Sequence, residues 1–390
     1  MLSAKEILVF LKNHQQEMLD LLTKLAMVES PSTDPQSQLQ VLHLLKDAFD
    51  ALDYKTLVVT GQKTGGYLYA RPKKRMKNNP LQLMIGHCDT VWPIGTLKTM
   101  PVEIMGNLVK GPGVYDMKGG LVQIIYAIKA LQFCNAEPLV SPVVLINSDE
   151  EIGSRESKAA IARLAKIADR AFILEPSVGL VGKLKTERKG VGRFTIKVKG
   201  RAAHAGLDPG KGISAIVELS YLIQQLFKMN NAKKDISVNV GIVEGGGRAN
   251  VVAAESNAVI DVRVPTQKDA EQIEKDILNL KPQSEEVELV ITGHFGRKPM
   301  EATPRNKRLW KVAKNAGRKL GVELESMAAG GASDGNTTSI YTATLDGLGA
   351  TGDGAHALHE FAMIDKMIER TALLVLLLMV DPLNKLIDKR

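Results

Sequence analysis

Two cysteines in 390 residues, Cys88 and Cys134, cannot build the disulfide framework of a small secreted protein, and no Cys-x-x-Cys pair is present. Aromatic residues make up only 4% of the chain. That leaves few stacking platforms of the kind single-stranded nucleic acid requires. No run approaches the ~20 apolar residues of a membrane-crossing helix. The apolar stretch at 373–380 is far too short to span and reads as a core-facing helix. Near the N-terminus Lys5, Glu6 and Lys12 interrupt the apolar residues 7–11, and no small-residue cleavage site follows, so a secretory leader is not expected. Internal repeats and low-complexity tracts are also missing. The net charge of +8 is modest for this length and reads as a basic solvated surface suited to acidic small substrates. A cytoplasmic protein with no nucleic-acid and no membrane partner is the expectation.

What is present is an ordinary apolar content of 44% on a chain long enough for two cores. Apolar residues recur at helical spacing over 4–28 and 36–52, with short strand-like runs at 56–60 and 67–70. The basic run Arg71-Pro72-Lys73-Lys74-Arg75-Met76-Lys77 reads as a solvated connection into the next strand. Continuous apolar runs at 81–86, 143–146 and 171–174 read as buried strands. Each ends in polar residues, which is where open α/β sheets place their sites. Residues 118–133 are helix-like. From about residue 185 the character changes, with an alternating, half-exposed strand at 194–199, further strands at 236–243, 257–264 and 287–292, and helices at 213–228 and 267–280. This β-α-β-β-α-β order predicts a smaller α/β sandwich inserted into the first domain.

The polar residues at the strand ends share one chemistry. His87 lies in Gly86-His87-Cys88-Asp89-Thr90-Val91, and Asp116 in Asp116-Met117-Lys118-Gly119-Gly120. Glu150 and Glu151 lie in Asp149-Glu150-Glu151-Ile152-Gly153-Ser154, Glu175 in Glu175-Pro176, and His356 four residues before Glu360. Imidazoles with carboxylates are the donors of a hydrolytic zinc pair, with one carboxylate to spare as a base. Glu150 and Glu151 are adjacent, so their side chains must diverge, and one can bind metal while the other faces a water.

These segments, together with Gly200-Arg201-Ala202-Ala203-His204-Ala205-Gly206, resemble the M20 metallopeptidases in the family's own order and over nearly the whole chain. The overall pattern is most like the glutamate carboxypeptidases. The resemblance implies a two-domain α/β protein. A zinc-peptidase-like catalytic domain with a central mixed sheet would be built from residues 1–186 and 297–390. An α/β sandwich at 187–296 would be its inserted lid and dimerisation domain. It further implies that Asp116 bridges two metals, that His87 and Glu175 complete one site, and that Glu151 and His356 complete the other. Glu150 would be the general base and Asp89 the partner that orients the His87 ring. The His-then-Glu spacing selects His356 over His359, and His294 lies in the crossover out of the lid.

By the same resemblance His204 reaches the partner subunit's site to stabilise an oxyanion, and Asn250 in Gly245-Gly246-Gly247-Arg248-Ala249-Asn250 contacts substrate. Arg297 would hold a terminal carboxylate through its planar fork. Arg263 matches a family position but reads equally as a structural ion pair. The expected cofactor is two Zn2+ per subunit, with Co2+ or Mn2+ also suited to the donors, and the expected assembly is a homodimer through the lid. The expected reaction is cleavage of the amide bond before a C-terminal amino acid, glutamate first. The same site would also serve an N-acyl amino-acid deacylase of deacetylase or desuccinylase type. A non-catalytic homologue that binds metal or peptide is the distant alternative.

Overall fold

A computed structural model describes residues 3–74 and 79–383, so Arg75, Met76 and Lys77 of the basic run lie outside the described residues. The chain forms two compact units. One comprises Glu187–Glu301 with Ala329–Ala332, and the other holds the remainder. The sandwich expected at 187–296 lies within the former.

The larger unit is built on a six-stranded sheet. Its strands are β1 (Tyr54–Val59), β2 (Tyr67–Pro72), β3 (Leu81–His87), β4 (Ser141–Asn147), β5 (Ala168–Ile173) and the short strand Ala343–Leu345. The spatial order is β1-β2-β4-β3-β5 and then Ala343–Leu345. β1, β2 and β4 pair antiparallel, whereas β4, β3, β5 and Ala343–Leu345 run parallel. Every residue of β3 and β4 is buried, as befits central strands covered on both faces. Their side chains alternate between two cores. Met84, Val144, Ile146 and Phe172 join the larger core with helices such as Gly119–Phe133 and Ile364–Leu378. Leu83, Ile85, Val143 and Leu145 face the opposite way, toward Ile161 and Ala165 of the helix Lys158–Ile167.

Helix Gly119–Phe133 is apolar almost all round because it is enclosed on nearly every side. Its first turn approaches the end of β5 very closely: a Cβ at Gly120 would lie 2.2 Å from the Leu174 carbonyl oxygen. Glycine there lets the Asp116 loop and the Glu175 loop meet. A second small antiparallel sheet pairs Phe361–Met363 with Leu108–Lys110, opposing Phe361 to Lys110. The His356 loop is thereby delivered beside the Asp116 loop.

At the N-terminus the structure differs from the single helix expected over 4–28. Two helices form, Ala4–Asn13 and Gln15–Ala26, broken at His14. The His14 ring stacks on Phe10 at 4.0 Å and its Nδ1 lies 2.8 Å from the Phe10 carbonyl, which stabilises a local bend that spacing alone does not reveal.

The smaller unit contains β6 (Gly190–Lys199), β7 (Ser237–Gly245), β8 (Glu255–Val264) and β9 (Glu288–Arg297), in the order β7-β8-β6-β9 and wholly antiparallel. Helices Ala215–Lys228 and Gln267–Leu278 supply Leu219, Leu222, Ile273 and Ile277 to a core with Phe194, Ile196, Ile260 and Val262. β7 and β9 are the sheet edges.

Candidate metal centre and catalytic pocket

Three parallel strands end within reach of one another, and each hands its next residues to the site. His87 closes β3 and is 2% exposed. Its Nδ1 lies 2.9 Å from the Asp89 carbonyl oxygen and 3.4 Å from Asp89 Oδ1. An Nδ1–H donated there leaves Nε2 to face inward, 3.3 Å from Asp116 Oδ1 and 3.5 Å from Glu175 Oε1. From the other side His356 Nε2 stands 3.1 Å from Glu151 Oε2 and 3.6 Å from Asp116 Oδ2. The two oxygens of Asp116 therefore face different histidines.

Glu150 and Glu151 diverge. An oxygen of Glu150 groups with His87 and Glu175, and one of Glu151 with His87 and Asp116, all atoms of each group within 4.8 Å of one another. The loop that carries them is tied at both ends. Asp89 Oδ1 accepts the Glu150 amide N–H and Oδ2 the Glu151 amide N–H, each at 3.2 Å, while Ser32 Oγ donates to Oδ2 at 2.7 Å. Farther along, Ser154 Oγ donates to Asp334 Oδ1 at 2.5 Å, and Asn147 Nδ2 donates to Asp334 Oδ2 at 2.8 Å. Ser333 caps the short helix that begins at Asp334.

The electrostatics of the cluster call for positive charge. Burial works against a charged His87, yet the carboxylates of Asp116, Asp89 and Glu175 around its ring outweigh it and hold its pKa well above the ordinary histidine value. The hydrogen bond to Glu151 lifts His356 to about 9. Burial pushes Glu151 upward. Asp116 Oδ1 is buried and makes no hydrogen bond. A buried, unsatisfied carboxylate oxygen among two imidazoles and three further carboxylates is what a pair of divalent cations would satisfy, so the residues fit such a centre.

Beside the cluster lies a cavity of ≈ 410 Å³ lined by Tyr115, Asp116, Glu175, Lys185, Asp353 and His359, among others. Lys185 is 9% exposed, with Nζ 3.9 Å from Glu175 Oε2. Sequence reasoning singled out neither Lys185 nor Asp353. A lysine at the start of a strand carries no signal of its own, and only the fold turns it toward Glu175. His359 lines this cavity and His356 joins the carboxylates, whereas His294 lies on β9 in the smaller unit.

In the smaller unit, His204 Nδ1 accepts the amide N–H groups of Gly206 and Leu207, both at 3.1 Å. That arrangement puts the ring proton on Nε2, which is then a donor. Asn250 is its neighbour: the Asn250 carbonyl accepts the Ala205 N–H at 3.0 Å, and His204 bridges Val251. Arg263 forms a bidentate pair with Asp261 at 2.7 and 3.1 Å, the structural role weighed for it above. Arg297 ends β9 opposite Val191 and is 8% exposed.

Residues 186–281 match the family described as the peptidase dimerisation domain. Over 313 residues the chain is 29% identical to carboxypeptidase G2 from Pseudomonas sp. (strain RS-16), covering 77% of this chain and 72% of that protein. It is 26% identical over 318 residues to succinyl-diaminopimelate desuccinylase from Dechloromonas aromatica, covering 77% and 83% of the respective chains. Among solved structures, aminopeptidase PepT from Bacillus cereus superposes with a TM-score of 0.79 over 94% of this chain and 98% of that one, at 21% identity.

Proposed function

As the chain belongs to the M20 metallopeptidases, a family of metal-dependent hydrolases, we propose that it cleaves the amide bond before a C-terminal amino acid, glutamate in the first instance. The observation that carries the reading is the placement of Asp116, whose Oδ1 and Oδ2 face His87 and His356 respectively. In this reading His87, Glu175 and Asp116 would hold one divalent ion, and His356, Glu151 and Asp116 the other. Zinc suits these donors best, and cobalt or manganese suits them too. When bound, such a pair lowers the pKa of water toward neutrality and polarises the scissile carbonyl.

The rest falls to the chain's own side chains. Glu150, beside His87 and Glu175, takes the proton of the attacking water and passes it to the leaving nitrogen. Asp89 holds the Glu150 and Glu151 amides and so fixes where both carboxylates stand. The Nε2–H of His204 is suited to receive an oxyanion, and we assign it to the site of a second copy. Asn250 is assigned to the substrate's carbonyl or carboxylate. For the terminal carboxylate Arg297 is the assigned residue, and Lys185, which lines the cavity beside Glu175, competes for the role.

A homodimer through the smaller unit supports the trans role of His204. Edge strand β7 exposes Ile242 by 52% and Val243 by 55%, and helix Ala215–Lys228 exposes Ile216, Val217 and Tyr221. An unpaired edge beside apolar residues is a surface that soluble proteins cover.

The desuccinylase relative supports a second reading, an N-acyl amino-acid deacylase that recognises the acyl side. The test is a matched panel of N-acyl amino acids, with the C-terminal residue (Glu, Asp, Ala, Leu, Lys) and the acyl group varied separately. Rates that peak at glutamate, and that fall in Arg297→Ala or Lys185→Ala through KM, support the carboxypeptidase and identify the carboxylate's partner. Rates that follow the acyl group and ignore the C-terminal residue support the deacylase and remove Arg297 from the site.

A further inference from the structure

Asp116 is followed by no regular helix until Gly119, and the backbone around it is irregular. Gly113 has φ +74°, and Asp116 and Met117 depart from helical angles. Amide N–H groups in such a segment have no helical acceptors, and buried ones must be satisfied from elsewhere. The acceptor is Glu360, 244 residues away from Asp116 in sequence. Its Oε1 accepts the N–H of Tyr115 and of Asp116, each at 3.0 Å, and its Oε2 accepts the N–H of Gly113 at 3.0 Å and the indole N–H of Trp92 at 2.9 Å. A carboxylate offers about four lone-pair sites, and all four are used.

Glu360 is 1% exposed, so water cannot stand in for any of them. No lysine or arginine among the described residues pairs with it within 4 Å. Lys118, buried nearby, donates instead to the Val28 carbonyl. The Glu360 backbone is held as well: its carbonyl accepts the Gly111 N–H at 3.3 Å and its N–H reaches the Ala357 carbonyl at 3.0 Å. One residue thus joins the loop of His356 to the loop of Asp116 and to Trp92 beyond Asp89.

We propose that Glu360 is a positioning residue for the metal centre, holding the Asp116 backbone so that each carboxylate oxygen faces its own histidine. The inference rests on the two-metal reading above. Glu360 acts through the amides of Gly113, Tyr115 and Asp116. Outer partners of this kind typically change metal affinity by roughly 10–100-fold when removed. Glu360→Gln keeps the shape but leaves one oxygen for four donors and turns an NH2 group against N–H groups.

Metal-free wild type and Glu360→Gln are titrated with Co2+, whose visible absorption reports binding without any assay of turnover. The expected result is a dissociation constant weakened by roughly 10–100-fold in Glu360→Gln, with a smaller rise in melting temperature on adding Co2+. Wild-type affinity in that variant would overturn the proposal, even if its metal-free form melts earlier, because Glu360 would then serve only the folding of the loop. A wild-type chain that takes up no Co2+ would overturn the two-metal reading and this inference with it. Should Glu360→Gln fail to fold, Trp92→Phe removes one of the four donors and keeps an aromatic ring in place. It should weaken Co2+ binding several-fold, and unchanged affinity there would equally overturn the proposal.

Discussion

The carboxylate of Asp89 accepts the backbone N–H of Glu150 at 3.2 Å, so the residue beside one proposed metal ligand also positions the proposed base. Its second oxygen does the same for Glu151 at 3.2 Å. Asp89→Asn retains a single carbonyl oxygen and turns an NH2 toward one of those amides. Activity is expected to fall roughly 10–100-fold, with weaker metal binding, whereas Ser32→Ala, which removes one hydrogen bond to Asp89, should cost far less. Steady-state kinetics with metal analysis on both variants checks this, and equal effects would deny Asp89 its special place.

Glu150→Gln keeps the volume and loses the base. Turnover should drop by roughly 10²–10⁴-fold while bound metal, measured by elemental analysis, stays at the wild-type ratio. A variant that keeps most of its activity would move the base elsewhere.

Chelation should destabilise the fold. The cluster gathers the carboxylates of Asp116, Glu150, Glu151 and Glu175 around two imidazoles, and cations that bind only the folded state add stability by mass action. At a free metal concentration 100 times the dissociation constant the gain is about 2.7 kcal/mol. The melting temperature should therefore fall on treatment with EDTA and recover on adding Zn2+. A melting temperature indifferent to both would argue against a metal centre.

Asp334 pins the far end of the Glu150 loop through Ser154 and Asn147. Asp334→Ala removes the charged acceptor that both donors share, leaving Asn147 Nδ2 only the Ser157 and Ser154 hydroxyls at 2.9 and 3.4 Å, and hydrogen bonds to a charged group are worth roughly 1.5–3 kcal/mol each. Chemical denaturation should show a loss of a few kcal/mol, and kcat should fall as the loop loosens. Unchanged stability would mean that the loop is held by Asp89 and by Asp149, whose carboxylate accepts the Glu156 N–H at 2.7 Å and the Ser157 hydroxyl at 2.5 Å.

Ile242→Lys places a charge on the exposed edge strand β7. Light scattering should show a monomer in place of a dimer. If His204 acts across that interface, activity should fall together with the dimer, and His204→Ala should lose kcat without losing metal. A fully active monomer would end the trans assignment.

Much of this protein can be read from its residues in order. Apolar runs ending in His87, Asn147 and Leu174 announce buried parallel strands, because a strand covered on both faces has no reason to alternate. The period-two pattern of Phe194, Ile196 and Val198 announces a half-exposed sheet for the complementary reason. Side-chain chemistry is legible as far as donor type goes, since the imidazole of His87 and the carboxylates of Glu150, Glu151 and Glu175 follow the apolar runs in sequence. What the order of residues does not contain is distance. Glu360 and Asp116 are 244 positions apart and meet at 3.0 Å only because the Phe361–Met363 strand pairs beside Lys110. The turning of Lys185 toward Glu175, the tying of Glu150 to Asp89 and the break at His14 are likewise products of packing. Local propensity and periodicity act over a few residues and so can be read from the chain. Contacts across hundreds of residues depend on which surfaces close on one another, and the tertiary structure alone decides that.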